Sequence, residues 1–129
     1  MISFVVHGPP VAAARPRLSR GKTYDPRSAE RKQVEAIIRE ELILRDWELT
    51  ENLVGVHFEF YLKLPKAMER GFVQPVYHKS KQDIDNLCKL YLDAMNKLVW
   101  RDDNQVVELS ACKLCSPTPY TQIMVQELV

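Results

Sequence analysis

Leu53 to Pro65 reads Leu-Val-Gly-Val-His-Phe-Glu-Phe-Tyr-Leu-Lys-Leu-Pro. Val54, Val56, Phe58, Phe60, Leu62 and Leu64 fall on one side of an extended chain, and Gly55, His57, Glu59, Tyr61 and Lys63 on the other. Alternation of period two, rich in β-branched and aromatic residues, predicts a long strand with one face in a core. The second face reads as solvated or partner-facing. His57 and Glu59 are therefore assigned no metal.

Upstream of this strand, Asp25-Pro26 is a helix start signal, with the carboxylate capping free amides and proline at the first helical position. The helix is expected to reach about Arg45, burying Val34, Ile37, Ile38, Leu42 and Ile43. Asp46 to Asn52 is a loop in which Trp47 covers the core. Ile2 to His7 is a short strand whose near-continuous apolarity predicts burial on both faces.

Downstream, Leu87, Leu90, Tyr91, Ala94, Met95 and Leu98 recur at helical spacing. Two strands follow, Gln105 to Leu114 and Thr121 to Leu128, joined through Ser116-Pro117-Thr118-Pro119. The order β-α-β-α-β-β predicts an α/β protein, one domain over residues 1–129, with a mixed sheet and helices packed on it.

The 129 residues carry 18 Lys and Arg against 17 Asp and Glu, a net charge of +1. Total charge therefore does not mark a nucleic-acid binder, and the placement of charge matters instead. Three cysteines, no leader and no apolar run near the roughly 20 residues of a bilayer span predict a soluble, cytoplasmic protein without a membrane partner. Cys112 and Cys115 have CxxC spacing, but in a strand residues three apart face opposite ways, and no second pair completes a zinc site. They are read as neither metal-binding nor redox-active. Walker and dinucleotide glycine motifs are absent, so no nucleotide cofactor is expected.

Two segments are locally basic. Val11 to Tyr24 holds Arg15, Arg17, Arg20 and Lys22 with no acid, and reads either as a solvated hairpin turning at Arg20-Gly21-Lys22 or as an arm following a phosphate backbone. Pro65 to Gln82, irregular at Gly71 and Pro75, adds Lys79 and Lys81. A connection this long inside a compact domain is usually functional or mobile. His78 within it is a weak candidate for proton transfer.

The acids cluster just beyond. Asp83 and Asp85 have a structural explanation as acids at a helix N-terminus, worth about 0.3–1 kcal/mol each. One acid suffices for that. Two apart in the extended approach to the helix, with Cα atoms about 6.6 Å apart, the pair can instead converge on one hard cation. Asp102-Asp103 reads as a turn, yet Leu98 to Asp103 spans about 20 Å if nearly extended, enough for Asp103 to return along the helix to its start. Lys89 lies one turn past Asp85; it either pairs with Asp85 or Asp93, the latter better oriented toward Lys97, or offsets charge on a phosphate. Spacing leaves both open.

Residues 81–109, KQDIDNLCKLYLDAMNKLVWRDDNQVVEL, resemble the signature of the RusA family of Holliday-junction resolvases, K-x-D-I/L-D-N-L-x-K followed by D-A-L and W-x-D-D-x-Q-V. Arg15-Pro16-Arg17 and Gly21 to Tyr24 look like the family's N-terminal arm. Gln82 and Met95 depart from the usual residues. The resemblance implies a homodimeric, Mg²⁺-dependent endonuclease, with Mn²⁺ able to substitute, that nicks symmetrically placed strands of four-way DNA. Carried over by position, the metal ligands are Asp83, Asp85 and Asp103 and the catalytic lysine is Lys89, with Asp102 less favoured. Arg15, Arg17, Arg20, Lys22, Lys79 and Lys81 would hold the DNA backbone. A junction or branched-DNA binder without turnover is the competing class, and a nucleotide hydrolase ranks last.

Overall fold

The computed structural model describes residues 1–73 and 76–128; Pro75, one of the irregularity signals, lies outside them. The elements are β1 (Ile2–His7), β2 (Arg17–Ser19), β3 (Lys22–Tyr24), α1 (Ser28–Leu44), β4 (Leu53–Lys63), α2 (Ile84–Met95), β5 (Val106–Ser116) and β6 (Tyr120–Leu128). A four-stranded sheet runs in the order β1-β6-β4-β5. β4 and β5 are parallel, whereas β6 is antiparallel to both β1 and β4. The expected α/β class with a mixed sheet is what the chain forms.

β4 behaves as its alternation predicts, burying Val54, Val56, Phe58, Phe60 and Leu62. Val54, Val56, Phe58 and Phe60 meet Val34, Ile38 and Leu42 of α1 and Leu87, Leu90, Tyr91, Ala94 and Met95 of α2 in one core that also takes in Trp100. Both helices lie on that face. Fully burying an aliphatic or aromatic side chain of this kind contributes about 1.5–3 kcal/mol, so the shared core is the main reason these elements stay together.

Several expectations need correction. β1 buries Ile2, Phe4 and Val6 but not Ser3 or His7, because it is an edge strand with helices on one side only. α1 begins at Ser28 rather than at Pro26: Asp25 Oδ1 accepts from Arg27 N–H at 2.9 Å, forming a turn ahead of the helix. Ile43 is exposed, one position off the buried stripe. Trp47 does cover the core, packing on it and donating from Nε1–H to Val99 O at 3.1 Å. No described helix is long and apolar enough to cross a membrane.

Candidate functional site

β4, α2 and β5 form a parallel crossover, and a groove of about 540 Å³ opens between α2 and β5. Ile84, Asp85, Cys88, Lys89, Leu92 and Asp93 line it from the helix, at the i, i+4 spacing that puts them on one face. Asp103, Val106, Leu109, Ser110 and Ala111 line it from the strand side. One groove thus receives Asp85, Lys89 and Asp103. Asp83 stands just outside its lining.

Asp83 is the N-cap residue of α2, in extended conformation at φ −73° and ψ 137°, and its side chain makes no cap hydrogen bond. Helix capping, the structural explanation for this acid, is therefore not what its carboxylate does. Asp85 follows in the first turn. The approach to α2 is fixed from below by Lys113, whose Nζ donates to Gln82 O at 2.8 Å and lies 3.4 Å from Ser80 O and Oγ. Sequence reasoning missed Lys113, since a lysine in a strand carries no signal of which loop it will reach.

Asp102 and Asp103 have separate tasks. Asp102 closes a capping box over the short 3₁₀ turn Asp103–Gln105, accepting from Asn104 N–H at 3.4 Å while its own N–H donates to Gln105 Oε1 at 2.8 Å. Buried Gln105 in turn donates from Nε2 to Thr50 O and Asn52 O, both at 2.9 Å. Asp103 accepts one hydrogen bond, from Trp100 Nε1–H at 2.9 Å, and opens onto the groove. Asp102 is thus engaged by the turn, whereas Asp103 opens onto the groove.

The extended return from Leu98 to Asp103 does not occur. α2 ends at Met95, Lys97 takes a positive φ of 66°, and Leu98 and Val99 N–H both donate back to Met95 O. After this compact turn Asp103 still lines the groove with Asp85 and Lys89. As a set, the carboxylates of Asp83, Asp85 and Asp103 lie further apart than the 4.8 Å that would mark a ready cluster; among the described residues only His57, Glu59 and Cys112 meet that distance. The donor chemistry still suits a hard divalent cation: Asp83 is uncapped, and Asp85 and Asp103 face the groove.

Lys89 pairs with Asp93 at 3.5 Å rather than with Asp85. Lys97, the expected partner of Asp93, has left the helix by then. Cys88 also lines the groove, but burial first and the Asp85 charge second push its thiol up to about 11. It is protonated at neutral pH and no nucleophile.

The basic arm is tied to this site by its backbone. Ala13 N–H donates to Asn86 O at 2.8 Å, Val11 N–H to Tyr91 OH at 3.1 Å, and Gln82 Nε2 to Pro10 O at 3.2 Å. Beyond that anchor β2 and β3 form the hairpin that turns at Arg20-Gly21, with Arg15, Arg17, Arg20 and Lys22 exposed. Lys79 and Lys81 are exposed on the loop leading into α2. His78 is a structural tie: its Nε2 lies 3.0 Å from Lys63 O and its backbone N–H donates to Lys113 O at 3.0 Å. Its Nδ1 is buried without a hydrogen-bond partner.

The sequence model of the family described as Endodeoxyribonuclease RusA matches residues 7–126. The chain belongs to the RusA endodeoxyribonuclease family. Within it the arm, α2 and the strand after it fall inside one matched span, which joins the acids and the basic hairpin in a single nuclease domain. The chain is also similar to a Bacillus subtilis (strain 168) protein called Uncharacterized protein YqaN, 32% identical over an alignment of 142 positions that takes in 98% of this chain and 96% of the relative. RusA-family membership makes this protein an endodeoxyribonuclease of the Holliday-junction resolvase type.

Proposed function

We propose that this protein is a Mg²⁺-dependent resolvase that cuts four-way DNA as a homodimer, with Asp83, Asp85 and Asp103 as metal ligands and Lys89 as the catalytic lysine. The observation that carries this reading is the convergence of Asp85, Lys89 and Asp103 on one groove of a RusA-family chain. When bound, a divalent cation supplies a polarised water and offsets charge on the phosphodiester. The chain's own residues do the rest.

Lys89 starts paired with Asp93 in an exposed i,i+4 contact, a class worth about 0.3–0.5 kcal/mol. So weak a pair is readily exchanged for a phosphate oxygen, where an ammonium group stabilises the charge that develops during cleavage. The arm and the Lys79/Lys81 loop grip the backbone and position it without reading bases. A two-fold dimer would present two such grooves to the two-fold symmetric junction and give paired cuts.

The test compares nicking and binding of four-way, three-way and linear DNA with and without Mg²⁺. Asp83→Asn and Asp103→Asn are expected to lose cutting by at least 100-fold while still shifting junction DNA in a gel, in keeping with the loss of a catalytic electrostatic group. Wild-type cutting by either variant would overturn the metal-ligand assignment. A salt-sensitive shift with no nicked product from the native protein would favour the binder without turnover. Restored cutting on mixing the two variants would mean that one site draws carboxylates from both subunits.

A further inference from the structure

The sheet has a second face that no helix among the described residues covers, and β4 and β5 arrange a group of metal-ligating side chains on it. Their register pairs His57 with Ser110 and Glu59 with Cys112. His57 Nε2 lies 3.4 Å from Glu59 Oε2, and one ring nitrogen of His57, one carboxylate oxygen of Glu59 and Cys112 Sγ all fall within 4.8 Å of one another. All three residues are half-buried. Cys112 and Cys115 do face opposite sides of the sheet, as strand geometry requires, with Cys115 buried near Tyr77 O. Cys112 finds its partners across the strands and not along its own.

The remaining polar atoms of these ligands are held by neighbours. His57 Nδ1 lies 2.5 Å from Ser110 Oγ, and Tyr61 OH donates to Glu59 Oε1 at 3.0 Å. His57 and Glu59 thus each have one atom engaged by a neighbour and another left near the cluster, while Cys112 offers its single sulfur. Metal-binding histidines and carboxylates are oriented in this way, because a partner on the far atom fixes the ring tautomer and the carboxylate rotamer.

We propose that His57 Nε2, Glu59 Oε2 and Cys112 Sγ form a site for a zinc-class divalent cation, made from other side chains than Asp83, Asp85 and Asp103 and completed by a water. Nitrogen, oxygen and sulfur donors suit zinc and cobalt, whereas Mg²⁺ prefers oxygen alone. With metal–nitrogen and metal–oxygen bonds of about 2.0–2.1 Å, a tetrahedral edge between them is about 3.4 Å, the separation of His57 and Glu59. Binding forms a metal–sulfur bond and releases the Cys112 thiol proton to solvent, with no change of oxidation state. Of the three ligands only His57 lines the neighbouring depression of about 300 Å³, beside Glu108, Ser110 and Gln126. The ion would bridge β4 to β5 across their parallel pairing.

The test adds Co²⁺ to metal-stripped full-length protein in excess Mg²⁺ and follows the thiolate-to-cobalt charge-transfer absorption. One Co²⁺ per chain is expected, displaced by Zn²⁺ and indifferent to Mg²⁺. Cys112→Ser removes the band, and Ser110→Ala, which leaves all three ligands in place, weakens binding about 10-fold. Asp83→Asn keeps the band, separating this site from the groove. Zn²⁺ raises the melting temperature of the native protein but not of Cys112→Ser, with matching circular dichroism before metal addition showing that the variant is folded. Absence of a thiolate band in the native protein, or a band that survives Cys112→Ser and disappears in Cys115→Ser, would overturn the proposal.

Discussion

Adjacent acids with the same chemistry are separated here by what their neighbours ask of them. Asp102 is engaged by the 3₁₀ turn, and Asp103 has a free face toward the groove. Asp102→Ala is therefore expected to lower stability by about 0.5–2 kcal/mol in urea unfolding, the usual loss for a cap, with cutting per folded molecule close to native. Asp103→Ala should show the reverse pattern, a small stability change and lost cutting. Gln105→Ala leaves the Thr50 and Asn52 carbonyls without their donor and should cost about 1–3 kcal/mol in the same measurement. Asp103 was visible in the sequence as one of a pair. Its distinction from Asp102 was not, since that depends on Gln105 reaching back to two carbonyls some fifty positions earlier in the chain.

Among the elements, β4 and α2 do most to shape the site. Phe60 lies under α2 with its ring centroid 5.6 Å from that of Tyr91, and Tyr61 lies on the helix-free face against Tyr120. Phe60→Ala is expected to destabilise by about 3–5 kcal/mol in chemical unfolding, and Tyr61→Ala by distinctly less, because only the first opens a cavity in the shared core. The alternation of β4 and the helical spacing of α2 were legible because each is a local period. Where α2 stops was not. Leu98 continues the apolar spacing, but Met95 O already accepts two N–H groups from the turn that follows. That turn, and not the spacing, places Asp103.

At the scale of the whole molecule, a chain of net charge +1 sets six exposed cations, Arg15, Arg17, Arg20, Lys22, Lys79 and Lys81, on one arm and one loop that lack acidic neighbours in sequence up to Asp25 and Asp83. If Arg15, Arg17, Arg20, Lys22, Lys79 and Lys81 contact about four to six phosphates, the log–log salt slope of junction binding should lie near −4 to −5. Arg17→Ala should make it shallower by about one, read by fluorescence anisotropy across a salt series, while leaving cutting at saturating protein largely intact. A flat salt dependence would remove the arm from the interface. The basic composition of the arm was plain in the sequence. Its nearness to Asp83 and Asp85 was not, because the Ala13 to Asn86 hydrogen bond joins positions 73 residues apart.

The sequence alone determined the element types, the buried face of β4, the basic arm and the motif that carries the family chemistry, because these are written in local periods and short spacings. Only the tertiary structure decided which acid of a pair is free, where α2 yields to a turn, what holds the approach to Asp83, and which side chains share the helix-free face. Each of those is set by contacts between residues far apart in the chain. His57 and Glu59 looked like ordinary polar residues of an alternating strand, and Cys112 like half of an unusable CxxC. The parallel register of β4 with β5 is what brings the three within reach of one ion.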